Sequence, residues 1–200
     1  CEYWELGLWA SVVEAIGKCG NNSIYTYNPS DSLWNFLQHL IKTDSKNWTS
    51  SLRCSLLSAL IEIHDSNLTN RLIEVLKEED ITPLHQLAAK ALGEIGDTIA
   101  VKPLCDFISH NIDLWSDRGW AWPGYGSGIP VLGLAIRALG EIGDESSIDI
   151  LVESLWWVMD GPFSLDYYMP TAEASVFALA SIGTDRAIDE LIIRAFSQNQ

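Results

Sequence analysis

The stretch Ala91-Leu92-Gly93-Glu94-Ile95-Gly96-Asp97 returns unchanged as Ala138-Leu139-Gly140-Glu141-Ile142-Gly143-Asp144. Looser copies stand at Ala178-Leu179-Ala180-Ser181-Ile182-Gly183, Ala15-Ile16-Gly17-Lys18-Cys19-Gly20 and Ala59-Leu60-Ile61-Glu62-Ile63-His64. A phrase that comes back at such intervals marks stacked structural units, each too small to bury its apolar face alone.

The phrase reads as the end of a helix. Upstream of it, Thr82 suits a helix cap and Pro83 the first helical position. Leu87, Ala88, Ala91, Leu92 and Ile95 follow with helical spacing. The small residues Ala88, Ala91 and Gly93 let a neighbouring helix come close. Gly96 suits the left-handed conformation that ends a helix, and Asp97 suits the cap of the next one. That second helix carries Val101, Leu104, Phe107 and Ile108. Pro103 sits early in it, so a late start or a bend is expected there. The grammar recurs downstream, with Leu151 and Leu191 in the place of Leu104 and with Ile148 and Ile188 in the place of Val101. Upstream, Leu68 and Leu72 follow His64-Asp65.

Five helix pairs result, arranged as one all-α solenoid, a short superhelix over residues 1–200. The first helices are predicted near 4–18, 50–63, 83–95, 131–142 and 172–182. The second helices are predicted near 31–42, 67–78, 98–109, 146–158 and 186–197. Successive phrases lie 44, 32, 47 and 40 residues apart. The excess over a bare helix pair falls in inserts near 21–30, 110–130 and 159–171. The first interrupts a pair. The other two join one pair to the next, so they are expected to project from one edge of the stack.

Composition narrows the partners. A hydrophobic fraction of 48% suffices for a core. No apolar run is long enough for a membrane span, and no signal peptide is visible, although Cys1 stands where Met is expected. The net charge of −15 comes from 12 basic and 27 acidic residues. It argues against nucleic acid and against anionic membrane surfaces. Two readings of the charge stay open: solubility, and a basic partner. The four cysteines, Cys1, Cys19, Cys54 and Cys105, include no CxxC pair. A reducing, cytoplasmic setting fits them, and Cys19, Cys54 and Cys105, which fall in apolar helical pattern, read as core thiols.

The phrase Ala-Leu-Gly-Glu-Ile-Gly-Asp, with Ala88 before it and a Val/Ile-x-x-Leu helix after it, resembles the HEAT-like repeat of the phycobilisome lyase family. The resemblance covers residues 50–197 clearly and the first pair loosely. It implies a HEAT-like solenoid. Within that family, the E/F-type lyases attach linear tetrapyrroles to cysteines of light-harvesting proteins, while relatives act in chromophore removal or in assembly. Many proteins with these repeats only bind other proteins.

The two later inserts are rich in aromatic residues. Trp115, Trp120, Trp122 and Tyr125 fall in the first, and Trp156, Trp157, Tyr167 and Tyr168 fall in or beside the second. Five of the nine tryptophans are therefore concentrated here, which ordinary solvated loops do not require. Either the rings cap the solenoid and fill gaps between pairs, or they form an apolar edge for a flat ligand or a partner helix. In the second case Asp117 and Asp160, with Asp113 and Asp166, suit protonated nitrogens, and Arg118 suits a carboxylate. A bilin carries both groups. The glycines of 119–128 lack the strand-loop-helix setting of a phosphate loop.

Other catalytic signals are sparse. His39, His64, His85 and His110 show no metal-ligand spacing, and no metal site is expected. The His-Glu pairs by which the HEAT-like deoxyhypusine hydroxylases hold iron are absent from the sequence. His85 reads as a surface or cap residue, and His64 as the mark of a less regular turn. Glu94 and Glu141 stand at equivalent positions, either solvated or lining a ridge for a basic partner. The first helix offers Trp4, Leu8, Trp9 and Val12, more apolar surface than a terminal cap requires.

The leading functional expectation is a non-catalytic scaffold that grips another protein and needs no cofactor. The alternative is a bilin lyase-like protein that helps attach a linear tetrapyrrole to a phycobiliprotein cysteine, or remove it, with the acceptor supplying the nucleophile.

Overall fold

A computed structural model describes residues 12, 13, 15, 30–43, 50–63, 67–78, 83–118, 128–160 and 165–197. Among these there are nine α-helices and no strand: α1 (Ser30–Thr43), α2 (Ser50–Ile63), α3 (Leu68–Leu76), α4 (Pro83–Ile95), α5 (Val101–Arg118), α6 (Gly128–Ile142), α7 (Ile148–Asp160), α8 (Leu165–Ile182) and α9 (Asp185–Ser197). The molecule is an all-α, HEAT-like helical-repeat solenoid. The expected helix at 4–18 falls almost entirely outside the described residues. Val13 from that region is buried in the core, and Val12 is exposed.

The repeated phrase works as its residues suggest. Gly96, Gly143 and Gly183 have φ of 70°, 76° and 64°, the left-handed region that side chains with a Cβ adopt only at a cost. Their N–H groups donate to the carbonyls of Leu92, Leu139 and Leu179 at 3.1, 3.0 and 3.2 Å, closing each first helix. The next residue then opens the second helix. Asp97 Oδ1 accepts from the Ile99 N–H at 3.1 Å, and Asp144 Oδ1 accepts from the Ser146 N–H at 2.8 Å. Short 3-10 turns, Thr98–Ala100 and Glu145–Ser147, lead into α5 and α7. Pro103 is the third residue of α5, where its missing N–H has no helical partner to lose.

Two rows of helices build the stack. The first helices α2, α4, α6 and α8 pack side by side, and α3, α5 and α7 form the row behind them. Small residues set the spacing in the first row. A Cβ on Gly93 would lie 2.8 Å from the Ala138 Cα and would collide with the Glu141 carboxylate. A Cβ on Gly140 would lie 2.5 Å from the Ala178 Cα. One continuous apolar cluster runs from Val13 to Ala187 and includes Leu37, Leu60, Leu72, Leu92, Leu104 and Leu139.

The second and third expected inserts are shorter than the sequence spacing suggests, because helices run into them. α5 persists to Arg118, where 98–109 was expected to close the helix. No glycine or proline stands between Pro103 and Gly119 to stop it. α6 begins at Gly128 instead of 131. α8 begins at Leu165 instead of 172 and passes through Pro170, where only the Asp166 carbonyl forgoes its usual helical donor. Residues 21–29, 119–127 and 161–164 lie outside the described residues.

Candidate functional site

Each second helix runs antiparallel to the first helix that follows it. The C-terminal ends of α5 and α7 therefore share one edge of the stack with the N-terminal ends of α6 and α8. Trp115, Asp117 and Arg118 lie in the last turns of α5. Trp156, Trp157 and Asp160 occupy the last turns of α7, and Tyr167 and Tyr168 the first turn of α8. The backbone brings all of these to the same edge. Trp120, Trp122 and Tyr125 lie outside the described residues.

Just inside this edge, polar side chains tie the helices together. Ser154 on α7 and Ser175 on α8 are buried with their hydroxyls 2.9 Å apart. The Leu151 carbonyl lies 2.8 Å from the Ser154 hydroxyl and the Thr171 carbonyl 3.1 Å from that of Ser175, so one serine donates to its own helix while the other donates across to its partner serine. Asn111 on α5 is buried and donates to the Phe107 carbonyl at 2.7 Å. Thr171 Oγ1 is buried without a hydrogen-bond partner.

The histidines, cysteines and repeated glutamates singled out in the sequence lie away from the helix ends of this edge or outside the described residues. His85, expected at the surface, is buried. Its ring stacks on Phe107 with centroids 5.8 Å apart, and Nε2 lies 3.3 Å from the Glu78 carbonyl. The face of α4 that begins at Leu84 is wide enough to take the imidazole, whose polar tip finds a backbone oxygen instead of water. His39 and His110 are exposed, and His64 lies outside the described residues. Glu94 and Glu141 are both exposed, and Glu94 pairs with Lys90 at 3.6 Å.

Cys54 and Cys105 are free, half-buried thiols. Burial pushes the Cys54 thiol up, partly offset by Arg53. Burial, followed by the Asp106 carboxylate, pushes Cys105 up to about 11. Both are poor nucleophiles at neutral pH. Cys1 and Cys19 lie outside the described residues. Among the described residues no group of three or more His, Cys, Asp or Glu is placed to hold a metal ion. No described helix is long and apolar enough to cross a membrane.

Three arginines, Arg53, Arg71 and Arg194, are buried, and the first two tie helices together. Arg71 on α3 donates to the Ser30 carbonyl at 3.1 Å and to Asp31 Oδ1 at 2.5 Å. Its guanidinium lies 5.5 Å from the Trp34 ring centroid, so it clamps α3 to the start of α1. Arg53 donates to the Leu40 carbonyl at 2.9 Å and ties α2 to α1. Arg71 stands three residues after Leu68 and beside Leu72, on the apolar stripe of its helix, and that position was the available signal.

Three segments of the chain, 87–110, 131–155 and 172–193, match the PBS lyase HEAT-like repeat. They coincide with the pairs α4–α5, α6–α7 and α8–α9, so the chain carries PBS lyase HEAT-like repeats. No curated protein matches it.

Proposed function

We propose that this protein is a non-catalytic scaffold that holds another protein along the edge where the aromatic-bearing ends of α5, α7 and α8 meet. The carrying observation is that convergence. Trp115 lies some forty residues before the neighbouring pairs Trp156-Trp157 and Tyr167-Tyr168, yet all five sit on helix ends that share one edge of a repeat stack. Aromatic side chains clustered on a firm base are the usual anchors of a protein interface. Asp117, Arg118 and Asp160 on the same helix ends offer charged groups for its rim. Trp120, Trp122 and Tyr125, which follow α5 in sequence, belong to the same proposed surface.

The test is substitution at that edge. Replacing Trp120 and Trp122 with Ala should weaken capture of the physiological partner by tenfold or more (roughly the effect of losing one or two aromatic anchors) while the helical circular-dichroism signal stays intact. Loss of the helical signal instead would make those rings part of the core and remove the basis for the proposal.

A second reading is favoured by the match to PBS lyase HEAT-like repeats. In it the same edge holds a linear tetrapyrrole and presents it to a phycobiliprotein cysteine. The aromatic faces would take the conjugated rings, Asp117 and Asp160 the pyrrole nitrogens, and Arg118 a propionate. Mixing the purified protein with a linear tetrapyrrole distinguishes the two readings. A changed absorbance spectrum supports the second, and an unchanged one leaves the protein-binding scaffold.

A further inference from the structure

We propose that the outer face of the first-helix row, across α4, α6 and α8, is a docking groove for an extended segment of a different protein, one that carries a carboxylate and an apolar side chain on each turn. This surface does not depend on what the aromatic edge binds.

The positions of the glycines shape the groove. No glycine stands in the second-row helices α3, α5 and α7, whereas Gly93 and Gly140 bring α4, α6 and α8 together against bare backbone. Helices separated by backbone stand closer than helices separated by full side chains. The stack therefore bends toward its first row, and the outer face of that row is the concave one. The same contacts fix the register. Gly93 meets Ala138 and Gly140 meets Ala178, so equivalent residues line up across the three helices.

This alignment builds a floor and a wall. Leu87, Leu134 and Ala174 form the floor, with both leucines half-buried and the alanine buried. Gly133, beside Leu134, lowers it further, because a Cβ there would meet nothing within 4 Å. Three residues along each helix, Lys90, Arg137 and Phe177 form an exposed wall. Glu94 and Glu141 stand one turn beyond the wall. Lys90 has Glu94 at 3.6 Å. The Glu141 carboxylate instead lies over Gly93 of α4, and Arg137 has no ion-pair partner among the described residues.

Charge and spacing together identify the occupant. A chain resting on the floor meets the cations of the wall before it reaches the acids behind them. A guanidinium beside an apolar surface suits a carboxylate. The net charge of −15 repels an acidic segment at long range, but screening at physiological salt reaches about 8 Å, so the groups lining the groove dominate once it is entered. Packed helices stand about 8–10 Å apart. A polyproline-type segment advances about 9 Å in each three-residue turn, so every third side chain meets the next helix. Its carboxylates then reach Lys90 and Arg137, and its apolar side chains rest on the floor and against Phe177.

The test uses the whole protein and fluorescein-labelled peptides built from repeats of Leu-Glu-Pro, Leu-Gln-Pro or Leu-Lys-Pro, read by anisotropy at physiological salt. The glutamate peptide should bind, and the other two should bind at least about tenfold more weakly. Arg137→Gln, at an exposed position, should weaken the glutamate peptide about tenfold and leave the glutamine peptide unchanged. Lys102→Gln removes the same charge from an exposed position on α5 and should leave binding unchanged. Trp120→Ala with Trp122→Ala should also leave it unchanged, which separates the groove from the aromatic edge. No binding by the glutamate peptide, tighter binding by the lysine peptide, or equal losses from Arg137→Gln and Lys102→Gln would overturn the proposal. A wild-type dimer in sedimentation that Arg137→Gln dissociates would overturn it in favour of a second copy.

Discussion

Ala178 packs against the bare backbone of Gly140, so closely that a methyl group on residue 140 would sit 2.5 Å from the Ala178 Cα. The contact joins α6 to α8, and Gly93 repeats it against Ala138 one unit earlier. The small residues of the phrase are therefore a spacing device between repeats. Gly133, on the same helix as Gly140, meets nothing within 4 Å and serves as a control. Gly140→Ala gains helix propensity of about 1 kcal/mol but forces backbone apart, for a net loss of about 1–2 kcal/mol. Gly133→Ala keeps only the gain and should raise stability by up to about 1 kcal/mol. Thermal or urea denaturation should move the two variants in opposite directions. A common direction would contradict the spacing role.

The clamp at Arg71 predicts an asymmetric result. Arg71 is buried, whereas its partner Asp31 is largely exposed, with 87% of its side chain accessible. Arg71→Met keeps the aliphatic stem but takes the charged donor from the buried Ser30 carbonyl, and should cost about 2 kcal/mol. Asp31→Ala should cost less than about 1 kcal/mol, because water screens the exposed carboxylate. Urea midpoints of the two variants compare these directly. Equal losses would mean that the ion pair outweighs the backbone contact.

Cys105 should be slow to alkylate. Its thiol, pushed up to about 11 by burial and by Asp106, is almost entirely protonated at pH 8, and only thiolate reacts. Its rate with iodoacetamide at pH 8 should fall well over tenfold below that of the denatured chain, and should climb as pH approaches 11. The sign for stability follows from the raised value. The contribution is fully present below the unfolded thiol range near 8.5 and is lost as pH rises toward the folded value. A Cys105 that reacts like a free thiol would show that the helix around it opens readily.

Asp144 gives the opposite pH dependence. Its carboxylate accepts from the Ser146 hydroxyl at 2.5 Å and from the Ser146 N–H, which holds it below the usual aspartate range. A lowered folded value stabilises the protein above the unfolded value, near 3.9, and that stabilisation disappears as pH falls through the folded value. Asp144→Ala should cost about 1 kcal/mol at neutral pH, as loss of a helix cap does. The gap between variant and wild type should narrow in acid. A gap that stayed constant down to strong acid would remove the carboxylate from the account.

The helix ends were readable because they are local. Gly96 and Gly143 terminate α4 and α6 by their own backbone freedom, and Asp97 and Asp144 cap the next turn within three residues. The ends of α5 and α8 were not, since no breaker falls between Pro103 and Gly119, and Pro170 lies close enough to the start of α8 to be tolerated. His85 was misread for a related reason. Spacing tells which side chains share a face, but not that Phe107 and the Glu78 carbonyl wait on the other side of the interface.

The chain's own order of residues determined that it would be helical, that its helices would come in pairs, and where three of those pairs turn. Each of those depends on interactions a few residues long. The packed molecule alone decided which glycines touch a neighbour, which arginines become buried, and that α8–α9 shows Phe177 and Ile193 to solvent at positions held by charges one repeat earlier. Those properties arise between segments tens of residues apart, and exposure is a property of the assembled stack.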